Sequence, residues 1–294
     1  MLSGSCDARL RPESASLSSL VLAAVLVAAL LHATWNLIVK ASPNTGFDLA
    51  MVAGAAAAIG GVMLPGIGLP GPGSWPRAAT SAVIPLAQYA LMAAAYRFGD
   101  LSHVYPIMRG TPPLLLALAA GPILGESLGP AGWAGVLLIS GGIIAMAVSA
   151  GGLTASRGTA FALANAVVIA CYSLVEGHGA RLSGNPPAYT MLVCVLDAVP
   201  VVLPVLIARR MEFLAHVAAR WRLGLVGGAA TLGSYGIVLW AMTQAPIALV
   251  AALRETSIVF ATVLSALILK ERFPWTRHAA AGLIMAGAVA FRLA

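Results

Sequence analysis

Apolar runs of about twenty residues, separated by short polar breaks, repeat along almost the whole chain. A helix needs about 20 mostly apolar residues to cross the hydrocarbon core of a bilayer. The pattern predicts ten such helices, near 18–39, 47–68, 77–98, 101–120, 130–149, 158–177, 187–208, 222–243, 246–269 and 276–293. Turn-forming residues mark the breaks: Ser42-Pro43-Asn44, the Gly/Pro-rich stretch 66–76, Gly99-Asp100, Gly151-Gly152, 183–187 and Arg272-Phe273-Pro274. Residues 1–17 are polar, with Asp7, Arg9, Arg11 and Glu13, and are expected to form a disordered tail; no cleaved signal peptide is expected. The expected fold class is an all-α polytopic membrane protein.

The chain also resembles itself. Tyr96–Met146 lies over Ala241–Phe291 without a gap, at a constant offset of 145 (254 − 109). Arg109 then falls on Arg254, Thr111 on Thr256, Ile123-Leu124 on Ile268-Leu269, Glu126 on Glu271 and Gly142 on Gly287. A looser match sets Trp35-Asn36-Leu37 against Tyr172-Ser173-Leu174. The expected organisation is two five-helix halves, 18–149 and 158–293, around a central cavity. An odd number of crossings makes the second half enter from the opposite side, and inverted repeats of this kind build many secondary transporters, with the substrate site where the repeats meet.

Composition supports a bilayer as the solvent. Of 294 residues, 60% are apolar and 9% are charged, against about 25% charged in soluble domains. That excludes a soluble enzyme. The net charge of +7 comes from basic residues lying mainly between apolar runs, where they act as topology determinants, so no nucleic-acid partner is expected. The end of the bundle holding both termini carries Arg9, Arg11, Arg77, Arg181 and Arg292. The other end carries Lys40, Arg97, Arg157, Arg209, Arg210, Arg220, Arg222, Lys270, Arg272 and Arg277. Charge alone places the second set in the cytoplasm. Cys6, Cys171 and Cys194 have neither a disulfide framework nor metal-ligand spacing, and neither a catalytic motif nor a phosphate-cradling loop occurs. No enzyme activity, metal or cofactor is expected.

The ten spans, the five-plus-five duplication and the segments Ile123-Leu124-Gly125-Glu126 and Ile268-Leu269-Lys270-Glu271 resemble the drug/metabolite transporter superfamily, and within it the EamA family of bacterial exporters. The resemblance implies a helical basket in the cell inner membrane, with the first four helices of each half around the substrate. It also implies both termini in the cytoplasm, against the charge criterion, so orientation stays undecided. Amino acids, cationic drugs, nucleotide sugars and sugar phosphates are all cargoes of such carriers. The chain is similar to bacterial aromatic amino-acid and paraquat exporters, a resemblance that favours amino acids moved outward. A phosphorylated or carboxylated metabolite ranks second and a cationic drug third. The partners expected are a small-molecule substrate and the lipid bilayer, with the protein a monomer or a homodimer.

Polar side chains at membrane depth normally face a cavity or a partner, and they supply the candidate site. His32, Trp35 and Asn36 share one face of the first span. Gln88 and Tyr89 lie mid-span in the third, with Tyr96 two turns on. Tyr105 and Tyr172 add aromatic rings, and Tyr172 is the repeat partner of Trp35. Arg109 and Arg254 lie eight residues into their spans, about 12 Å along the axis, too deep to snorkel easily. They could hold a carboxylate or phosphate, or one of them could pair with Asp197. Pro106, Pro112 and Pro113 predict a kink around Arg109. Proton coupling would need a titrating group inside the membrane, and Glu255 and Asp197 are the leading candidates. His32 is another; Glu176 falls near a helix end and could simply meet water. Lys40 is expected to snorkel. The segment 209–222 has apolar residues at helical spacing and reads first as an interfacial helix, with a gate or partner contact as the alternative. Gly132-Trp133-Ala134-Gly135 predicts close packing, within the chain or against a second protomer.

Overall fold

The structure is a computed structural model that describes residues 18–42, 44–149, 156–268, 270 and 274–292. The expected tail at 1–17 and the repeat residues Leu269 and Glu271 lie outside them. Ten α-helices follow in order: α1 Ser19–Lys40, α2 Thr45–Ile67, α3 Trp75–Phe98, α4 Leu101–Leu124, α5 Pro130–Ser149, α6 Arg157–Leu182, α7 Pro186–Gln244, α8 Ile247–Arg254, α9 Ser257–Ile268 and α10 Trp275–Ala290, with a short 3-10 turn at Pro72–Ser74. The described residues contain eight helical runs long and apolar enough to cross a membrane. The chain is an all-helical polytopic membrane protein.

The eight runs differ from the ten expected spans in two places. The spans near 187–208 and 222–243 belong to one 59-residue run, α7, which bends where Arg209 leaves helical geometry (φ −142°, ψ 43°). A straight helix of that length would reach about 88 Å, far more than one crossing. The second difference is α10, whose 16 residues fall short of a full crossing.

The segment 209–222 is therefore not a separate interfacial helix. It forms the first turns of the arm 210–244, because no Gly or Pro interrupts it, and Asp48 holds it in place. Asp48, in the first turn of α2, is fully buried. Its Oδ1 lies 2.6 Å from His216 Nε2, and Arg220 donates to its two oxygens from Nε at 3.3 Å and Nη2 at 3.1 Å. Phe47 packs edge-on against Phe213 and His216, with the Arg209 guanidinium 5.1 Å from its ring centre.

Helix packing depends on small residues that let backbones approach. Gly228 in α7 abuts Ala55 and Ala56 of α2, and Gly158 abuts Gly99. Gly135 faces the Phe291 ring just past α10, and Gly132 meets Leu249 of α8, so the small-residue signal in α5 is spent within the chain. α1 packs on the arm 210–244 and on α8 and α9; α6 packs on α3 and α4. Exchanging the two halves of the sequence turns one set of contacts into the other. α5 and α10 pack on each other.

Gly228→Leu places a side chain where a Cβ alone would come within 2.7 Å of Ala55 Cβ and the Ala56 backbone nitrogen. It should destabilise the bundle by about 1–3 kcal/mol or more. Gly141→Ala, with open space around its Cβ, should change little. Thermal unfolding in detergent micelles compares the two.

Candidate substrate site

A cavity of about 730 Å³ opens between α1, α4 and α9 at the end of the bundle marked by Lys40. His32, Asn36 and Lys40 follow one another at i, i+4, i+8 on α1, and Ser257, Ala261 and Ser265 do the same on α9. Each helix therefore lends one stripe to the wall. Tyr96, Ser102, Tyr105 and Pro106 line it from α3 and α4, and Thr276 and Arg277 from the start of α10.

The charged residues cluster deeper. Arg109 Nη2 lies 2.9 Å from Glu255 Oε2, and Arg254 Nη2 lies 4.0 Å from the other Glu255 oxygen. Arg254 and Glu255 are buried, and the Nε atoms of both arginines have no hydrogen-bond partner. Tyr105 and Tyr172 lie near Arg109, Tyr172 also sits beside Arg254, and His32 lies within electrostatic range of both arginines. The cluster thus adjoins the cavity wall.

The backbone explains why neighbours in sequence can share one carboxylate. The helix is interrupted at Glu255-Thr256, between α8 and α9. There Glu255 and Thr256 donate to carbonyls three residues back, and Thr256 Oγ1 takes the Leu253 carbonyl at 2.8 Å, a side-chain bond that competes with the helical ladder. The interruption falls in this half, whereas α4 runs unbroken through Pro106, Pro112, Pro113 and Pro122.

The other predicted residues are distributed as follows. His32, Asn36, Tyr96 and Tyr105 line the cavity; Arg109, Arg254, Tyr172 and Glu255 form the charged cluster. Trp35 is not among the lining residues and sets its ring edge-on to His32, 5.2 Å between centres. Asn36 Nδ2 donates to the His32 carbonyl at 2.7 Å. Tyr89 faces Asp197 and Tyr172, and Gln88 is half-buried away from the cavity lining. Asp197 pairs with neither arginine. It lies near Glu176 instead, with one carboxylate oxygen buried and without a partner, because Glu255 already occupies Arg109. Glu176 does not sit in water: α6 continues to Leu182, and Glu176 is buried beside Tyr235 and Ser81. Sequence reasoning passed over Ser257 and Ser265, though their i, i+8 spacing with Ala261 between them was the available signal.

Breaking a buried ion pair leaves an uncompensated charge and costs about 3–5 kcal/mol. Glu255→Gln should lower the unfolding temperature sharply. Adding Arg109→Gln should recover a large part of the loss, so in a double-mutant cycle on detergent-solubilised protein the double variant loses far less stability than the two single variants summed.

Residues 156–293 match the model of the EamA-like transporter family. No curated protein matches the chain. Among solved structures, one described simply as a crystal structure of a protein superposes with a TM-score of 0.71 at 21% sequence identity, covering 94% of this chain and 97% of that one. At that identity the likeness speaks for the fold. The match over residues 156–293 is to a family of membrane transporters of small molecules, and the eight long apolar helical runs make the chain a multi-pass membrane protein.

Proposed function

We propose that the protein is a secondary transporter that moves small metabolites, amino acids foremost, outward across the cell inner membrane. It works by alternating access between two inverted five-helix halves, 18–149 and 158–293. The observation that carries this reading is the cavity beside Arg109, Glu255 and Arg254. Its volume lies within the range of about 300–1,000 Å³ usual for small-molecule sites. Two guanidinium groups share the Glu255 carboxylate there, a formal surplus of one positive charge that Glu176, within electrostatic range of Arg254, offsets only when ionised. A substrate carboxylate would balance it, and guanidinium geometry suits that group. Tyr96 and Tyr105 offer apolar ring faces with polar tips for a side chain.

The exchange of packing partners between the halves supports alternating access. The outward direction follows the exporters that the sequence resembles. The same positive surplus favours a phosphorylated or carboxylated metabolite as the second cargo class and weighs against a purely cationic drug. Asp197 and Glu255 are the candidate groups for proton coupling.

The test is uptake into proteoliposomes of the purified protein, scanned across labelled amino acids, sugar phosphates and a cationic dye, with and without an imposed pH gradient. Saturable amino-acid flux is expected, and Arg254→Gln should cut it by about tenfold or more, the scale of a lost hydrogen bond to a charged group. Flux that requires the gradient would implicate Glu255 and Asp197 in coupling. Saturable flux of the dye alone would overturn the anion-binding reading.

A further inference from the structure

The end of the bundle opposite the cavity mouth is joined by one charged pair. Glu126, just past α4, contacts Arg181 Nη2 near the end of α6 through Oε1. Its Oε2 accepts the N–H of Ile247, the first residue of α8, at 3.0 Å. Arg181 in turn donates from Nε to the Met242 carbonyl at 2.8 Å and from Nη2 to the Ala245 carbonyl at 3.1 Å. Both carbonyls lie at the end of α7, where the helical ladder leaves acceptors unfilled. A residue of the first half is thereby tied to α6, α7 and α8 of the second.

What the pair holds down is α8. Every residue of Ile247–Arg254 is buried, and the helix is apolar all round until Arg254, the pattern of an element enclosed by others. It is seated tightly: a Cβ on Gly177 of α6 would lie 2.5 Å from Ile247 Cδ1. α8 ends at the charged cluster, so it fills the space between that cluster and the Glu126 end. For a substrate to leave by this end, α8 must shift from its seat, which lies against α4, α1 and α5 as well as α6 and α7. Glu126 cannot then keep both Arg181 and the Ile247 N–H.

The setting of the pair suits repeated breaking. The Glu126 side chain is 9% exposed and that of Arg181 30%. Water can therefore reach the arginine as the bond opens, while the carboxylate is shielded enough for the bond to matter. A fully buried pair would be too costly to part and a fully exposed one too weak to hold.

We propose that Glu126 and Arg181 are the gating pair that keeps the Glu126 end closed while the cavity stands open at the Lys40 end. The inference rests on the alternating-access reading of the function, and it assigns to two residues outside the cavity the control of access to it.

The test uses thiol reporters in the full chain with Cys6, Cys171 and Cys194 replaced by alanine. Ala248→Cys reports on α8, where the position is fully enclosed. Ala261→Cys reports on the cavity wall. Labelling by a charged maleimide in detergent micelles should be fast at position 261 and slow at 248. Glu126→Gln and Arg181→Gln should each raise the rate at 248 by about tenfold or more and lower the rate at 261, as the population shifts. Arg181→Lys, which keeps the charge and loses the fork, should fall between. Unchanged rates at both positions would overturn the proposal, as would a rise at both, since that marks a loosened fold rather than a gate. Labelling needs no substrate. Reciprocal changes in the absence of flux in the uptake assay would keep the gate and sink the cargo. Flux with unchanged labelling would do the reverse.

Discussion

A charge carried into hydrocarbon must find an opposite charge, a hydrogen-bonding partner or water, and that requirement organises this bundle. Arg109 cannot reach a headgroup from its depth in α4, so a carboxylate has to come to it. Glu255 comes from the other half of the chain, at the point where the ninth expected span is interrupted between α8 and α9. In an unbroken helix, adjacent residues point about 100° apart. Relaxing the ladder at Glu255-Thr256 lets Glu255 reach Arg109 while Arg254 stays within 4.0 Å of it. The same rule governs the periphery: Asp48 is buried with His216 and Arg220, and Glu126 with Arg181 and the α8 N-terminus.

These pairings run mainly between halves, as helix packing does. α1 is held by the second half and α6 by the first. Neither half as described encloses its own polar groups: Arg109 without Glu255, or Glu126 without Arg181, would be a stranded charge. The cavity lies where the halves meet, bounded by α1 and α4 from one and α9 and the start of α10 from the other. The charged cluster adjoins its wall beside His32 and Tyr105, and α8 lies between that cluster and the Glu126 end.

The two stretches that the 145-residue offset lays over each other differ in how they stay helical. α4 carries four prolines and remains one helix, while its counterpart has none between Ile247 and Ile268 and is broken. Membrane helices tolerate proline because neighbouring groups satisfy the freed carbonyls. The break in the second half arises from side-chain competition instead, with Thr256 bonding back to Leu253.

Much of the fold was legible in the chain because hydrocarbon imposes a local code. Apolar length gave the helices and turn residues gave most breaks. His32, Asn36 and Tyr105 could be singled out because polar groups at membrane depth are few. The partners were not legible. Asp197 was as good a counter-ion for Arg109 as Glu255 until the chain was folded, since pairing depends on distances between helices that no spacing records. The 209–222 segment looked interfacial because helical amphipathicity is the same whether water or another helix lies alongside; its anchor, Asp48, is more than 160 residues away in sequence. Glu176 looked wet because the expected span stopped at 177, whereas α6 runs on to the turn residues at 183–187. By itself, the sequence determined that the protein lives in a bilayer as a set of helices carrying a few deep charges, since burial in lipid is a property of each segment alone. Which charges meet, where the cavity opens and what closes its far end were decided by the tertiary structure, because each depends on how separate helices are brought side by side.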